Sequence, residues 1–369
     1  MIRILQIVPN MQAGGIETWL MNQYRCLDRK IIQYDFLVHY KQRYFYDDEI
    51  EQLGGHIFRC SMREDNNIFK YIVFLFKFFK AHKEYKVIHG HMPSFSFIFM
   101  GIARMCHIPV RINHSHNSSF NHNIKGYTEF MLTKLVKINS NYLFACSDLA
   151  GKYMYGKTKY TVIHNAIDIN KFKYNLSVRN EIRKELGVED KFVIGHIGRF
   201  TLQKNHEFLI DIFYDFLSHY NKNAILLLIG TGELLDKIMF KIQELKIMDS
   251  VIYLGVRADT DQLYQAFDCF LLPSFYEGLP VVGVEAQTAG VPMLVSNKVT
   301  REVGLLPTTK FLPIDNGTEC WCDSLQNITF DANTRFDAKD VVESKGYSID
   351  EETKRITNIY ISLYMKNSM

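Results

Sequence analysis

Apolar residues in this chain fall into short unbroken runs, and the stretches between the runs carry helical periodicity. In the first half the runs are Ile2 to Val8, Tyr34 to Val38, Lys86 to His89, Val110 to Asn113 and Tyr142 to Cys146. Between them the pattern predicts helices starting near Glu17 and spanning 68–80, 93–106 and about 127–138. The second half repeats this grammar, with runs at Phe192 to Ile197, Ala224 to Ile229, Val251 to Leu254, Cys269 to Leu272, Met293 to Val295 and Lys310 to Leu312. A strand that is apolar throughout belongs in a sheet covered on both faces, and strands alternating with helices imply parallel pairing. The expected class is α/β, with two doubly wound parallel-sheet domains facing across a cleft. The charged stretch from Asn170 to Asp190 reads as the boundary. It gives domains 1–175 and 176–369, the last helix being free to pack back on the first domain. In such sheets ligands bind outside the carboxyl ends of the strands, so the strand-to-helix loops are where chemistry is expected.

A chain of 369 residues that is 47% hydrophobic is long enough for two cores. Its 7 cysteines are odd in number, scattered and without a C-x-x-C pair, which points to buried thiols in a reducing compartment. Cys320-Trp321-Cys322 lacks the second Cys/His pair of a zinc site. The opening run, Met1 to Val8, is too short for a signal peptide and has no cleavage pattern. The most apolar window, Ile68 to Ala81, is interrupted by Lys70, Lys77 and Lys80 and falls short of the about 20 residues a membrane-crossing helix needs. Those lysines form one narrow stripe on an otherwise apolar helix. That pattern fits a core helix, and equally an interfacial element with lysines at anionic headgroups. The net charge of +3 hides an asymmetry: residues 1–180 hold 24 Lys+Arg against 13 Asp+Glu, or +11, and the remainder 19 against 27, or −8. A basic first half suits contact with an anionic membrane.

The stretch Phe270 to Ser296 carries the most chemistry. It reads as a buried strand, a Gly-Pro loop, a short helix and a second buried strand. Glu277 falls in the loop, and Glu285, eight positions on, lies about one turn into the helix. Gly278-Leu279-Pro280 opens that helix; glycine permits close backbone approach, and proline suits a first helical turn. The free N–H groups and positive dipole end of a helix start attract a phosphate. Phosphate contacts flanked by two carboxylates suit a nucleotide-sugar.

Four further loops follow predicted strands. Gly14-Gly15-Ile16-Glu17 is glycine-rich without being G-x-G-x-x-G, so a nicotinamide fingerprint is not supported. His114-Ser115-His116 offers imidazoles that hydrogen-bond hydroxyls or shuttle a proton. His89 and His91 also end a strand and read as structural. Histidines are metal ligands by type, but no Asp or Glu stands at ligand spacing, so no metal is expected. In Gly198-Arg199-Phe200 with Lys204-Asn205, a guanidinium fork and an ammonium point charge could neutralise two phosphates. Gly230-Thr231-Gly232-Glu233 is a weaker G-x-G signal.

PSFYEGLPVVGVEAQTAGVP resembles the donor-site signature of the retaining family-4 glycosyltransferases, which have two Rossmann-like domains in the GT-B arrangement. The likeness extends from about Ile2 to Ser296 and includes Val162 to Asp168 with Phe172, where Ala166 replaces the family's usual glycine, and Ser147-Asp148. It implies transfer of a hexose-type sugar from a nucleotide-diphosphate-sugar, with retention of configuration and without metal or other cofactor. His116, Glu277, Arg199 and Lys204 would be catalytic. Gly15, Arg199, Lys204, Gly230, Gly278, Leu279, Pro280 and Glu285 would bind a donor of the UDP- or GDP-sugar type. Gly14, Glu17 and His114 would lie on the acceptor side. The style of the motifs resembles enzymes that build bacterial capsular polysaccharide or exopolysaccharide on a polyprenyl-diphosphate carrier, which implies a cytoplasmic protein at the inner face of the membrane and no nucleic-acid partner. Alternatives are a nucleotide-sugar 2-epimerase of the same architecture, a catalytically silent nucleotide-sugar-binding scaffold subunit, and a two-carboxylate glycosidase. The last needs no phosphate cradle.

Overall fold

The computed structural model describes residues 1–60, 62–65, 67–116 and 135–368. The chain divides into two compact units, Met1–Ala166 with Ile349–Met369, and Ile167–Ser348. The first holds β1 (Ile2–Ile7), β2 (Ile32–Val38), β3 (Ile57–Arg59), β4 (Val87–Gly90), β5 (Val110–Ser115), β6 (Tyr142–Ala145) and β7 (Thr161–Val162). They form one sheet in the order β3-β2-β1-β4-β5-β6-β7, with every pairing parallel. The second unit holds β8 (Phe192–Ile197), β9 (Ala224–Ile229), β10 (Val251–Tyr253), β11 (Cys269–Leu272), β12 (Met293–Ser296) and β13 (Thr309–Leu312), ordered β10-β9-β8-β11-β12-β13 and again parallel. Both are doubly wound Rossmann-like sheets. The direction of strand addition reverses between β1 and β4 in one, and between β8 and β11 in the other.

Alternation along β1 shows why its run is unbroken. Ile4 and Val8 enter one core with Trp19, Leu20 and Tyr360, while Leu5 and Ile7 enter another with Leu75, Phe79 and Phe99. Successive strand residues point to opposite faces, so a sheet covered on both faces needs apolar residues at every position. In the second unit Ile194, Leu226, Leu228, Leu271 and Leu294 pack under the helix His206–His219 with Trp321.

The charged stretch 170–190 is not a linker; it forms the helices Ile169–Phe172 and Leu176–Glu185 inside the second unit. Arg179 and Arg183 are buried there because they donate to the carbonyls of Gln265, Ala266 and Phe267 and to Asp268. The division falls after Ala166 instead of at 175, and the C-terminal helix belongs to the first unit. Two strands escaped the sequence reading, β3 and β7, because at 3 and 2 residues they are too short to make a run. The expected helix at about 127–138 lies mostly outside the described residues, with 135–139 helical. The helix Ile68–Ala81 divides its faces: Tyr71, Leu75, Phe78 and Phe79 are buried, while Ile68, Phe69 and Val73 are exposed.

The C-terminal helix Ile349–Ser368 places Ile356 and Tyr360, both fully buried, in the first unit's core. Tyr360→Ala should therefore destabilise the first unit by about 3–5 kcal/mol, as for other buried aromatic truncations. The chain's 2 tryptophans, Trp19 and Trp321, lie one in each unit, so each unit can be followed alone. In a Trp321→Phe background, fluorescence-detected urea unfolding should shift markedly with Tyr360→Ala; in a Trp19→Phe background it should not.

Candidate active site

In the second unit the loops after β8 and β11 flank the point where strand order reverses. The first carries Gln203, Lys204 and Asn205; the second carries Ser274 and Glu277. Lys204 Nζ lies 2.7 Å from Glu277 Oε1, with both side chains largely buried. Ser274 Oγ donates to the same oxygen at 3.0 Å, and Gln203 Nε2 donates to Glu277 Oε2 at 3.1 Å. The loops are sewn together by Phe275 N–H donating to the Gln203 carbonyl at 2.9 Å and Asn205 Nδ2 donating to the Pro273 carbonyl at 3.1 Å. Asn205 can make that turn because it adopts φ 57°, a left-handed conformation that asparagine tolerates. His196 and His206 are buried near Lys204, and burial lowers both, His196 to about 4, so neither adds charge at neutral pH.

Gly278, Leu279 and Pro280 are buried and lead into the helix Val281–Thr288, whose start has no side-chain cap. Its first N–H groups are therefore not taken by a capping side chain. Glu285, inside this helix, is buried and accepts from Tyr264 Oη at 2.9 Å. Desolvation pushes its carboxyl up to about 7. Gly230 follows β9 at φ 131°, and a Cβ there would lie 2.1 Å from the Gly198 carbonyl oxygen. The glycine lets the loop after β9 press on the loop after β8. Arg199 is exposed in that β8 loop.

In the first unit, the corresponding reversal point carries the helix Gly15–Cys26 after β1, with Gly14 at its start and no side-chain cap. Gly15 faces open space: a Cβ there meets nothing within 4 Å. Glu17 lies in the first turn. The ends of β4 and β5 bring four imidazoles together. His114 and His116 have ring centroids 4.1 Å apart, His89 and His91 4.2 Å, and His89 and His114 5.2 Å. Trp19 meets His91, His114 and His116 edge-on. His91 is the link: Nδ1 lies 2.9 Å from His116 Nε2, and Nε2 lies 2.9 Å from Gln6 Oε1. With the Gln6 oxygen as assigned, His91 Nε2–H donates to it, His91 Nδ1 accepts from His116 Nε2–H, and His116 Nδ1 keeps its lone pair. Desolvation holds all four rings neutral, His116 down to about 3.

Comparison with known proteins follows from this geometry. The model of the family described as "Glycosyl transferases group 1" matches residues 178–303, which include both second-unit loops. EpsF of Bacillus subtilis (strain 168), named as a glycosyltransferase, is 29% identical over 373 residues, 97% of this chain and 96% of its own. The chain carries a glycosyl transferases group 1 domain, and it is a glycosyltransferase. The UDP-Gal:alpha-D-GlcNAc-diphosphoundecaprenol alpha-1,3-galactosyltransferase of Escherichia coli is 24% identical over 80% of this chain and 79% of its own. The crystal structure of Anabaena HepE in complex with UDP-glucose shares the fold, with TM-score 0.81 and 19% identity over 98% of this chain and 100% of that one. The architecture is GT-B.

The structure of the glycosyltransferase brings Lys204 and Glu277 into contact and sets Gly278 to Pro280 directly after them. It also clusters His114 with His116. Glu285 is held by Tyr264, and Arg199 extends to the surface. Sequence reading missed Ser274, Gln203 and Tyr264, which hold the two glutamates, and missed His91, Gln6 and Trp19, which hold His116. Ser274 stands three positions before Glu277 in PSFYEGLP, so a search for donors near that carboxylate finds it; Gln203, 74 positions away, leaves no such signal. Gln6 leaves no such signal beyond being a polar residue in an apolar strand.

Glu285 gives a testable pH dependence. Its carboxyl is raised to about 7 when folded, against an ordinary value near 4.5. A raised acid favours folding at low pH, and that contribution is lost as pH climbs from 4.5 through 7. Glu285→Gln cannot ionise, so its stability relative to the parent should improve across that window by roughly 3 kcal/mol, then level off. Urea unfolding at several pH values reads this directly; parallel curves for the two proteins would contradict it.

Proposed function

We propose that this glycosyltransferase moves a hexose-type sugar from a nucleoside-diphosphate donor to a saccharide on a polyprenyl-diphosphate carrier, with retention of configuration and no metal or other cofactor in the transfer. The observation that carries the reading is the buried Lys204–Glu277 pair beside the uncapped start of Val281–Thr288, at the strand-order reversal of the second unit. The pair keeps two desolvated charges compensated until substrate arrives. When a donor enters, Lys204 would meet the diphosphate and Glu277 the hydroxyls of the transferred sugar. As the anomeric carbon–oxygen bond breaks, its electrons leave with the diphosphate, the acceptor hydroxyl oxygen bonds to the anomeric carbon on the same face, and the hydroxyl proton passes to the departing diphosphate oxygen. Charge then grows where Lys204 and the uncapped start of Val281–Thr288 lie, with Arg199 reaching in from the exposed β8 loop, and only contacts that strengthen with that charge accelerate the step. Those groups supply the positive charge that a divalent ion would otherwise bring. Glu285, close to half protonated near pH 7, can donate to or accept from ribose hydroxyls. His116 Nδ1 would accept a hydrogen bond from a substrate hydroxyl.

Support for the substrates comes from the names of the relatives. One acts on a diphosphoundecaprenol-linked sugar, and HepE was crystallised with UDP-glucose. The setting we propose is bacterial capsule or exopolysaccharide synthesis. The epimerase alternative has no supporting observation among these transferases.

The test uses thermal stabilisation by UDP-, GDP-, ADP- and dTDP-sugars. A responding donor at 100 times its dissociation constant should stabilise the protein by about 2.7 kcal/mol. With that donor, Glu277→Gln and Lys204→Met should each lower turnover by at least about 100-fold while remaining folded. Proton NMR of the product should show the donor's anomeric configuration; the opposite anomer would overturn the retaining assignment.

We further propose that the first unit rests on the cytoplasmic face of a membrane. Among the described residues no helix is long and apolar enough to cross one. The helix Ile68–Ala81 instead exposes Phe69 (79%) and Val73 (52%) alongside Lys70, Lys77 and Lys80. An exposed apolar stripe edged with lysine suits an anionic interface. Sedimentation with phosphatidylglycerol vesicles should weaken as salt rises and should fall sharply in Phe69→Glu. No binding at low salt would end the idea.

A further inference from the structure

The buried imidazoles at the ends of β4 and β5 contain more ligand capacity than hydrogen bonds use. Among the described residues, neither ring nitrogen of His114 has a hydrogen-bond partner, and Nε2 of His89 has none. Each is sealed from solvent, where an unpaired polar atom is costly. His89, His91 and His114 can each present one nitrogen such that the three lie within 4.8 Å of one another. From these observations we propose that His89, His91 and His114 form a binding site for a d-block divalent cation of the Zn²⁺ class.

The donor set fits that class. Neutral imidazole suits zinc, copper and nickel, whereas magnesium and calcium want oxygen. The outer contacts are also of the right kind. His89 Nδ1 lies 2.7 Å from Tyr360 Oη, which leaves Nε2 as the ligand atom. His91 Nε2 faces the Gln6 oxygen at 2.9 Å, which leaves Nδ1. Such partners fix the tautomer of a ligating histidine. An acidic residue is not required, since three histidines with a solvent molecule make a known zinc set. Solvent could reach the fourth position past His116, at 7% exposure the least buried of the four rings. Binding would withdraw His91 Nδ1 from His116. The site would tie the end of β4 to the end of β5.

The experiment is equilibrium dialysis of the chelator-treated full chain against Zn²⁺ alone, followed by Co²⁺ substitution. About one equivalent should bind, and the cobalt protein should show ligand-field bands without a thiolate charge-transfer band, which separates the site from the seven free cysteines. His89→Gln should weaken binding at least tenfold, and Cys26→Ser should leave it unchanged. His114→Gln provides a second variant should His89→Gln fail to fold, with near-ultraviolet circular dichroism as the check. No retained zinc, a thiolate band, or unchanged affinity in a folded histidine variant would overturn the proposal.

Discussion

Reversal of strand order is the constraint on which the rest depends. A parallel sheet buried on both faces sends its connections to both sides, and they part company where the order turns back. In this glycosyltransferase the turn comes between β1 and β4 and between β8 and β11. Two helices that follow those loops, Gly15–Cys26 and Val281–Thr288, begin without a side-chain cap. Gly14 and Gly15 sit at one such start, and Gly278 to Pro280 at another. The surrounding strands are fully buried, so the loops are anchored at rigid ends and can hold a charged pair that a mobile loop could not.

The two carboxyl edges are electrostatically unlike. The second unit presents opposite full charges, Lys204 and Glu277, each tolerable in a desolvated setting only because of the other and of Ser274 and Gln203. The first unit presents four imidazoles that burial keeps neutral. One edge can therefore respond to charge that appears during a reaction, while the other offers hydrogen bonds, lone pairs and shape. Part of the +11 of the first 180 residues lies on the exposed lysines of the helix Ile68–Ala81.

Reading the sequence recovered the long strands to within about two residues, because a parallel strand buried on both faces leaves a run that nothing else resembles. It failed where the run vanished, at β3 and β7, and where composition misled, at 170–190. There Arg179 and Arg183 look like linker charges and are instead capping the carbonyls of 265–267 from within. The helix Ile68–Ala81 was ambiguous between core and interface; Tyr71, Leu75, Phe78 and Phe79 bear out the core reading on one face, and the opposite face is exposed. Of the candidate site, Glu277, Lys204 and the Gly-Leu-Pro turn were legible as a motif; the residues that aim them were not.

By itself the sequence determined the class of fold, the alternation of strands and helices, and which loops carry glycine, histidine and paired charges. These follow from periodicities and turn preferences that act over a few neighbouring residues. Only the tertiary structure decided that Gln203 supports Glu277 from 74 positions away, that Tyr360 supports His89 from 271 away, and that His91 is the partner of His116. Such pairings depend on which strands are neighbours and in what register. Those are settled by burying two faces of a sheet at once, and no local stretch of chain contains that information.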